Sequence, residues 1–307
     1  MATDTLSAVP TLFRLLGRGM RGQELAYSFN VSDRCPIGCD CYWRARARVD
    51  EMSDEDAVAF FHEMKARGYL LVTLVGGEPY VRPGLLEKLT PIMPSNWLVT
   101  SGTTPLRHFP RTTHFVSIDG ADAETHNAVR RSPKLFERIV HNLTEARAEG
   151  EFPAYAHSVL NALNYRQIER ILAYWSESGL LDGVLFSTLT PIKGSGDSRL
   201  RLAREEREEI VHELVRQKER YGEFLVNTDR MIRLLHPEAT ETQTPESCGT
   251  ARLIGSFDAS GARIEKCILG EAADCSQCGC VITTIIDTVY PRPTLKTFEV
   301  LARLRTR

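Results

Sequence analysis

Six short apolar runs recur between residues 26 and 188, and helical patterns fill most of the gaps between them. The runs read AYSFNV (26–31), YLLVTLV (69–75), WLVT (97–100), HFVSI (114–118), AYAHSVL (154–160) and GVLFST (183–188). Each has strand length and ends at polar or turn residues. The segment SDEDAVAFFHEMKARG (53–68) opens on Ser53, a natural N-cap, carries acids in its first turn and closes at Gly68. RPGLLEKLTPIM (82–93), SPKLFERIVHNLTEARAEG (132–150) and NYRQIERILAYWSESG (164–179) follow the same logic. Strands alternating with helices predict a parallel sheet buried on both faces. Six units are too few for a closed eight-stranded barrel, so the expected class is α/β, an open, partial (β/α)6 barrel. It is assigned to residues 25–235, after a helical segment (1–24) and before a cysteine-rich extension (236–307).

In such folds the chemistry gathers at the C-terminal ends of the strands. The unusual residues of this chain lie there: a cysteine loop after the first run, then GGEP (76–79), SGTT (101–104) and Asp119-Gly120. Further on, KGSGDS (193–198) reads as a polar loop able to cover a site. The charged helix RLAREEREEIVHELVRQKERYG (201–222) reads as a buried Leu/Ile/Val stripe with a solvated charged face, and HPEATETQTPES (236–247) as a linker.

Of eight cysteines, three fall at 35–41 and five at 248–280. Clustered thiols in an intracellular enzyme point to metal or redox chemistry, where a disulfide scaffold would spread them. The formal net charge of −2 gives no electrostatic reason for a nucleic-acid partner. No apolar run is long enough to span a membrane, and the first twenty residues lack a secretory signal. A cytoplasmic location is the expectation, with PTLFRLLGRGMRG (10–22) a short amphipathic helix on the domain.

Cys35-x3-Cys39-x-Cys41 places three thiols on one short loop, with no fourth cysteine or histidine nearby in sequence. Soft thiolates suit an iron–sulfur cluster, and three ligands leave one iron open. Structural zinc would require a fourth ligand. With only Asp40 between Cys39 and Cys41, their Cα atoms stand at most ~7 Å apart and an extended backbone points both side chains the same way. Tyr42 and Trp43 either shield such a cluster or are ordinary core aromatics.

Followed by GGEP on the next strand, this cysteine loop resembles that of the radical S-adenosylmethionine (radical SAM) superfamily, which usually carries C-x3-C-x2-C. The resemblance covers roughly residues 25–200 and extends to VSIDG (116–120) and HNAVRR (126–131). It implies a 4Fe–4S cluster on Cys35, Cys39 and Cys41, whose open iron chelates S-adenosylmethionine. It further implies that an electron from a flavodoxin- or ferredoxin-type donor breaks the carbon–sulfur bond. The 5′-deoxyadenosyl radical then abstracts a hydrogen atom from the substrate. For the cofactor it points to Gly76, Gly77, Glu78, Pro79, Ser101, Ser117, Asp119, His157 and Asn161. The glycines would let the backbone approach a ligand, and Glu78 would neutralise the methionine ammonium. Ser117 and Asp119 are candidates for the ribose hydroxyls, although Asp119-Gly120 also suits a strand-ending turn. Arg130 and Arg131 either hold an anion or simply charge a helix C-terminus.

The tail runs Cys248-x18-Cys267-x7-Cys275-x2-Cys278-x-Cys280, and within it SFDASGARIEKC (256–267) reads as a β-hairpin turning at Gly261. This resembles the auxiliary-cluster extensions, SPASM or twitch, of many radical SAM enzymes, and implies a second 4Fe–4S cluster. A zinc ribbon is the alternative. Three ligands at the first site and four at the second leave one cysteine over. Cys248, Cys267, Cys275 and Cys278 are the expected ligands, and Cys280 the expected hydrogen-atom donor or spare thiol. The expected substrate is a small molecule undergoing dehydrogenation, epimerisation or rearrangement. The alternatives are a peptide-modifying enzyme, for which so short a segment before the first strand leaves little room for leader recognition, and a non-catalytic iron–sulfur or zinc protein.

Overall fold

Alternate residues of each strand face opposite sides of the sheet, and here both sides are covered, which explains why the runs are almost continuously apolar. The computed structural model describes residues 14, 17–39, 48–193, 198–289, 299–302 and 304. Its strands are β1 (Ala26–Ser32), β2 (Val72–Gly76), β3 (Asn96–Thr100), β4 (Thr112–Ser117), β5 (Ala154–Leu160), β6 (Val184–Thr188) and β7 (Ile254–Phe257). They form one sheet in the order β6-β5-β4-β3-β2-β1-β7, every neighbouring pair parallel. The helices are α1 (Asp54–Ala66), α2 (Pro83–Leu89), α3 (Ala123–Arg130), α4 (Leu135–Ala148) and α5 (Ile168–Ser178), followed by α6 (Arg204–Tyr221), α7 (Asp229–Arg233), α8 (Pro237–Thr240), α9 (Gly249–Leu253) and α10 (Val281–Val289). No described helix is long and apolar enough to cross a membrane.

One face of the sheet presents Tyr27, Phe29, Leu74, Leu98, Val116, Ala156 and Phe186 to the helices, where Phe61, Leu86, Ile139, Leu143, Ile171 and Trp175 are buried with them. The other face carries Trp97, Phe115, Tyr155 and Leu185, covered by Val281, Ile285 and Val289 of α10 together with Leu304. Trp97 Nε1 and Thr113 Oγ1 both donate to the Leu304 carbonyl, at 3.0 and 2.7 Å. α10 and Leu304 thus cover this second face of the sheet.

The observed sheet has one strand more than the six expected. β7, from the cysteine-rich tail, lies parallel to β1 with Ala26 opposite Ile254 and Phe29 opposite Phe257. Only the first arm of the expected hairpin is a strand. The turn is formed, with Gly261 N–H donating to Asp258 O (3.0 Å), but its second arm makes a single bridge, Phe257 to Arg263. The outer edge of β1 supplies the ladder that the second arm was expected to provide.

In α6 the expected stripe is buried as Ile210, Val211 and Leu214, with Arg207 and Gln217 buried beside it. Residues 194–197, most of the predicted covering loop, lie outside the described residues.

Candidate active site and a cysteine-lined cavity

The root of the first cysteine loop is fixed by a carboxylate that the sequence reading did not single out. Glu51 accepts from Ser32 Oγ (2.6 Å) and from the Asp33 N–H (3.1 Å), and pairs with Arg34 (3.3 Å) and Arg82 (3.7 Å). Burial raises its pKa, but these hydrogen bonds and the Arg34 charge outweigh that and hold it below the usual range. The Val49 N–H donates to Asp33 Oδ2 (3.2 Å), so the chain leaving the loop is tied to the chain entering it. Cys35 is half-buried and Cys39 buried, with Gly38 packed near the Arg131 carbonyl. Asp40, Cys41, Tyr42 and Trp43, and with them the one-residue gap, lie outside the described residues.

The GGEP turn is fused to that root. Gly77 N–H donates to Ser32 O (2.8 Å), and Glu78 N–H to Arg34 O (2.9 Å). Gly76 has φ +128°, a conformation natural only to glycine, and a Cβ there would stand 2.5 Å from Ser32 O. A Cβ on Gly77 would overlap Arg34 O. Among the described residues, the close approach these glycines allow is therefore to the cysteine loop's own backbone. Pro79 opens a short 3-10 turn that Glu78 caps.

Glu78 is fully buried. Thr100 Oγ1 donates to its Oε1 (2.7 Å), as does Tyr80 N–H (3.1 Å), while Ser101 N–H (2.7 Å) and Ser101 Oγ (2.5 Å) donate to Oε2. Burial raises the Glu78 pKa against the pull of these donors. The carboxylate thus binds the end of β2 to the end of β3, and Ser101 is placed through it.

Ser117 ends β4 and is buried. Asp119, just beyond, pairs with Arg130 at the end of α3 (2.6 Å) and accepts from the Val159 N–H (2.8 Å). The carboxylate that Arg130 holds is thus the chain's own. Asn161 is buried and shapes the turn after β5, accepting from Leu163 N–H (3.0 Å) and donating to Val159 O (2.9 Å). His157 Nε2 shares a 2.8 Å hydrogen bond with Ser187 Oγ, which also accepts from Val281 N–H (3.1 Å). Burial pushes the His157 pKa down to about 4, so the ring is neutral at neutral pH.

Where α10 meets the sheet, Cys248, Cys267, Cys275, Cys278 and Cys280 all line one cavity of about 40 Å³. Electrostatic contacts link every pair among Cys248, Cys267, Cys275 and Cys278, and link Cys280 to Cys278 and Cys267. Backbone N–H groups of Thr250 and Ala251 reach the Cys248 sulfur, Leu269 that of Cys267, and Ile282 and Thr283 that of Cys280. Burial pushes the Cys267 pKa to about 11 and that of Cys280 to about 12, so a bound cation would have to displace those protons. Among the described residues no three His, Cys, Asp or Glu side chains are grouped to hold one metal ion. The thiols instead surround a space.

The sequence reading passed over Gly279 in the Cys278-Gly279-Cys280 triplet. This glycine lies on the end of β6: Thr188 N–H donates to its carbonyl (3.0 Å), and its own N–H donates to Thr190 Oγ1 (3.0 Å). Two buried donors at the same cavity, Ser256 Oγ and Gln243 Nε2, have no hydrogen-bond partner. Orphaned donors beside clustered thiols fit an anionic, sulfur-rich occupant.

No protein-family model matches the sequence. It is 31% identical to the AdoMet-dependent heme synthase of Methanosarcina barkeri (strain Fusaro / DSM 804), over 60% of this chain and 56% of that protein. The chain thus spans little more than half of that relative's length. In fold it is similar to SuiB of Streptococcus suis, solved bound to the precursor peptide SuiA (TM-score 0.65, 13% identity, 89% of this chain, 66% of SuiB). It is also similar to anSMEcpe solved with bound AdoMet (TM-score 0.62, 15% identity, 90% of this chain, 82% of that one). The cysteine loop locked to its GGEP turn, the open parallel sheet and the heme synthase likeness converge on one resemblance, that of this chain to the radical SAM superfamily.

Proposed function

We propose that this chain binds S-adenosylmethionine at a 4Fe–4S cluster held by Cys35, Cys39 and Cys41, and acts on a small organic molecule. The observation that carries the reading is the pair of hydrogen bonds joining Gly77 and Glu78 to Ser32 and Arg34, which sets the cofactor turn directly on the ligand loop. When bound, cluster and cofactor together supply a primary carbon radical that abstracts hydrogen.

The chain's own side chains position and insulate. Glu51 and Arg82 hold the loop root, and Glu78 locks the ends of β2 and β3. Of the remaining cofactor candidates, Ser101, Ser117, Asp119 and Asn161 lie at or just beyond the ends of β3, β4 and β5, and His157 lies within β5 opposite Ser117. Asp119 acts from within, bracing α3 through Arg130. His157, neutral at neutral pH, serves as a hydrogen-bonding group rather than as a general acid.

A second 4Fe–4S cluster is the proposed occupant of the cavity, with Cys248, Cys267, Cys275 and Cys278 as ligands, since all four thiols line it and interact electrostatically. Cys280 then remains as a fifth thiol lining the same cavity. Its neighbour Val281 is bonded to Ser187, and Ser187 to His157. A thiol there can donate a hydrogen atom to a substrate radical.

Small-molecule chemistry is favoured because the heme synthase is the more similar relative in sequence. A peptide substrate is the second reading, supported by the peptide-bound structures of SuiB and anSMEcpe. Iron analysis tests the metal assignment. The reconstituted chain should carry about eight iron atoms and the Cys35→Ala/Cys39→Ala variant about four, the content of one 4Fe–4S cluster. Equal iron in both would reject the first site. Turnover of S-adenosylmethionine stimulated by a peptide fraction of cell extract, and not by a low-mass fraction, would reject the small-molecule reading.

A further inference from the structure

Arg207 stands on α6 with 4% of its surface exposed. Its Nη2 donates to Thr240 Oγ1 (3.1 Å), Leu235 O (3.3 Å) and, at 3.5 Å, the carbonyl of Cys278. Its Nε is buried without a hydrogen-bond partner. Among the described residues no carboxylate pairs with it. Neighbouring Arg204, by contrast, is exposed and reaches Glu208, Glu238 and Glu241.

A buried guanidinium with only neutral acceptors is costly, because the desolvation of its charge is not offset. Such a cation is retained where an anion completes its surroundings. Burial works against the charge of Arg207, and its favourable electrostatic partner is Cys278. Cys278 also interacts electrostatically with each of the other four cysteines that line the cavity. Around the same space stand the unpartnered donors Ser256 Oγ and Gln243 Nε2, while Thr190 Oγ1 donates to the Cys278 sulfur at 3.8 Å. The orphaned donors and the thiols call for negative charge in the cavity, and Arg207 reaches the cavity's wall through the Cys278 carbonyl.

We propose that Arg207 is the counter-charge of the auxiliary iron–sulfur cluster, a positioning residue that stabilises its reduced form and steadies the Cys278 ligand. This rests on the auxiliary-cluster reading above. A positive charge close to a cluster that gains an electron favours the reduced state, so removing it lowers the reduction potential. Lys266 also lines the cavity but is exposed and donates to Glu271 O (3.3 Å), so its charge is screened by water.

The test isolates the auxiliary cluster in the full-length chain by replacing Cys35, Cys39 and Cys41 with Ala, then poises it with dithionite under EPR. In that background Arg207→Met keeps the aliphatic packing and removes the charge, whereas Arg207→Lys keeps the charge. The expected result is retained iron, with the reduced fraction at a fixed ambient potential falling roughly tenfold in Arg207→Met, about 59 mV for one electron. Arg207→Lys should recover most of that shift. An unchanged potential in Arg207→Met, or a Lys variant as impaired as the Met variant in iron content and potential, overturns the role of Arg207 alone. Absence of iron in the triple-alanine background overturns the auxiliary-cluster reading itself.

Discussion

Gly279 lies directly on Thr188, with the Thr188 N–H donating to the Gly279 carbonyl at 3.0 Å, and a Cβ on the glycine would overlap the threonine hydroxyl and carbonyl oxygens. Because Gly279 sits between Cys278 and Cys280, this contact sets both thiols against the end of β6. Gly279→Ala should push the triplet off the sheet. Iron content of the reconstituted variant is expected to fall by roughly the share of one cluster while the EPR signal of the first cluster persists.

Gly77 plays the corresponding part at the first site. Gly77→Ala would drive a methyl group into the Arg34 carbonyl, which immediately precedes Cys35. Forcing extra volume into a site that cannot relax costs about 1–3 kcal/mol. S-adenosylmethionine affinity, measured by equilibrium dialysis under anaerobic conditions, should fall at least tenfold.

On the proposed auxiliary-cluster reading, the five clustered thiols divide into four ligands and one remainder. Single Cys→Ser changes at 248, 267, 275 and 278 should each lower iron content, whereas Cys280→Ser should leave it intact and abolish solvent-deuterium incorporation into product. Equal iron loss in all five variants contradicts that division.

Asp119 and Arg130 form a pair with little access to solvent, at 3% and 12% side-chain exposure. Arg130→Met leaves the carboxylate buried without its cation. Breaking a buried pair from one side costs about 3–5 kcal/mol, and urea titration should show it. Replacing both partners with apolar residues should cost less than the single change.

Acid lability follows from the buried histidines. Burial pushes His114 down to about 3 and His126 to about 4, against an ordinary value of 6.5. Between pH 6.5 and these values the unfolded chain binds protons that the folded chain does not, so stability is lost as pH falls through that window. At pH 5 each group costs roughly 2 kcal/mol. Melting temperature should drop steeply from pH 6.5 to 5, and His114→Phe, which cannot be protonated, should show a shallower slope.

The six expected strands were legible because each is a contiguous apolar run buried on both faces. β7 was not, because Ile254–Phe257 is only four residues long and its ladder is with β1, more than two hundred positions away in sequence. Glu78 was located by its motif, but its partners Thr100 and Ser101 lie on the next strand. Asp119 stands out in sequence through VSIDG, while its pairing with Arg130 depends on how α3 returns to the sheet. Arg207 stands three positions before Ile210 and seven before Leu214, on the very stripe that predicted burial. The signal was present, hidden by the charge of the side chain.

The proposed function stands on reductive cleavage of S-adenosylmethionine at the Cys35–Cys41 loop. Anaerobically reconstituted chain, mixed with dithionite and S-adenosylmethionine, should form 5′-deoxyadenosine detectable by chromatography, and the Cys35→Ala variant should form none. Absence of 5′-deoxyadenosine above the variant's background, in protein carrying a full iron complement, would contradict the account.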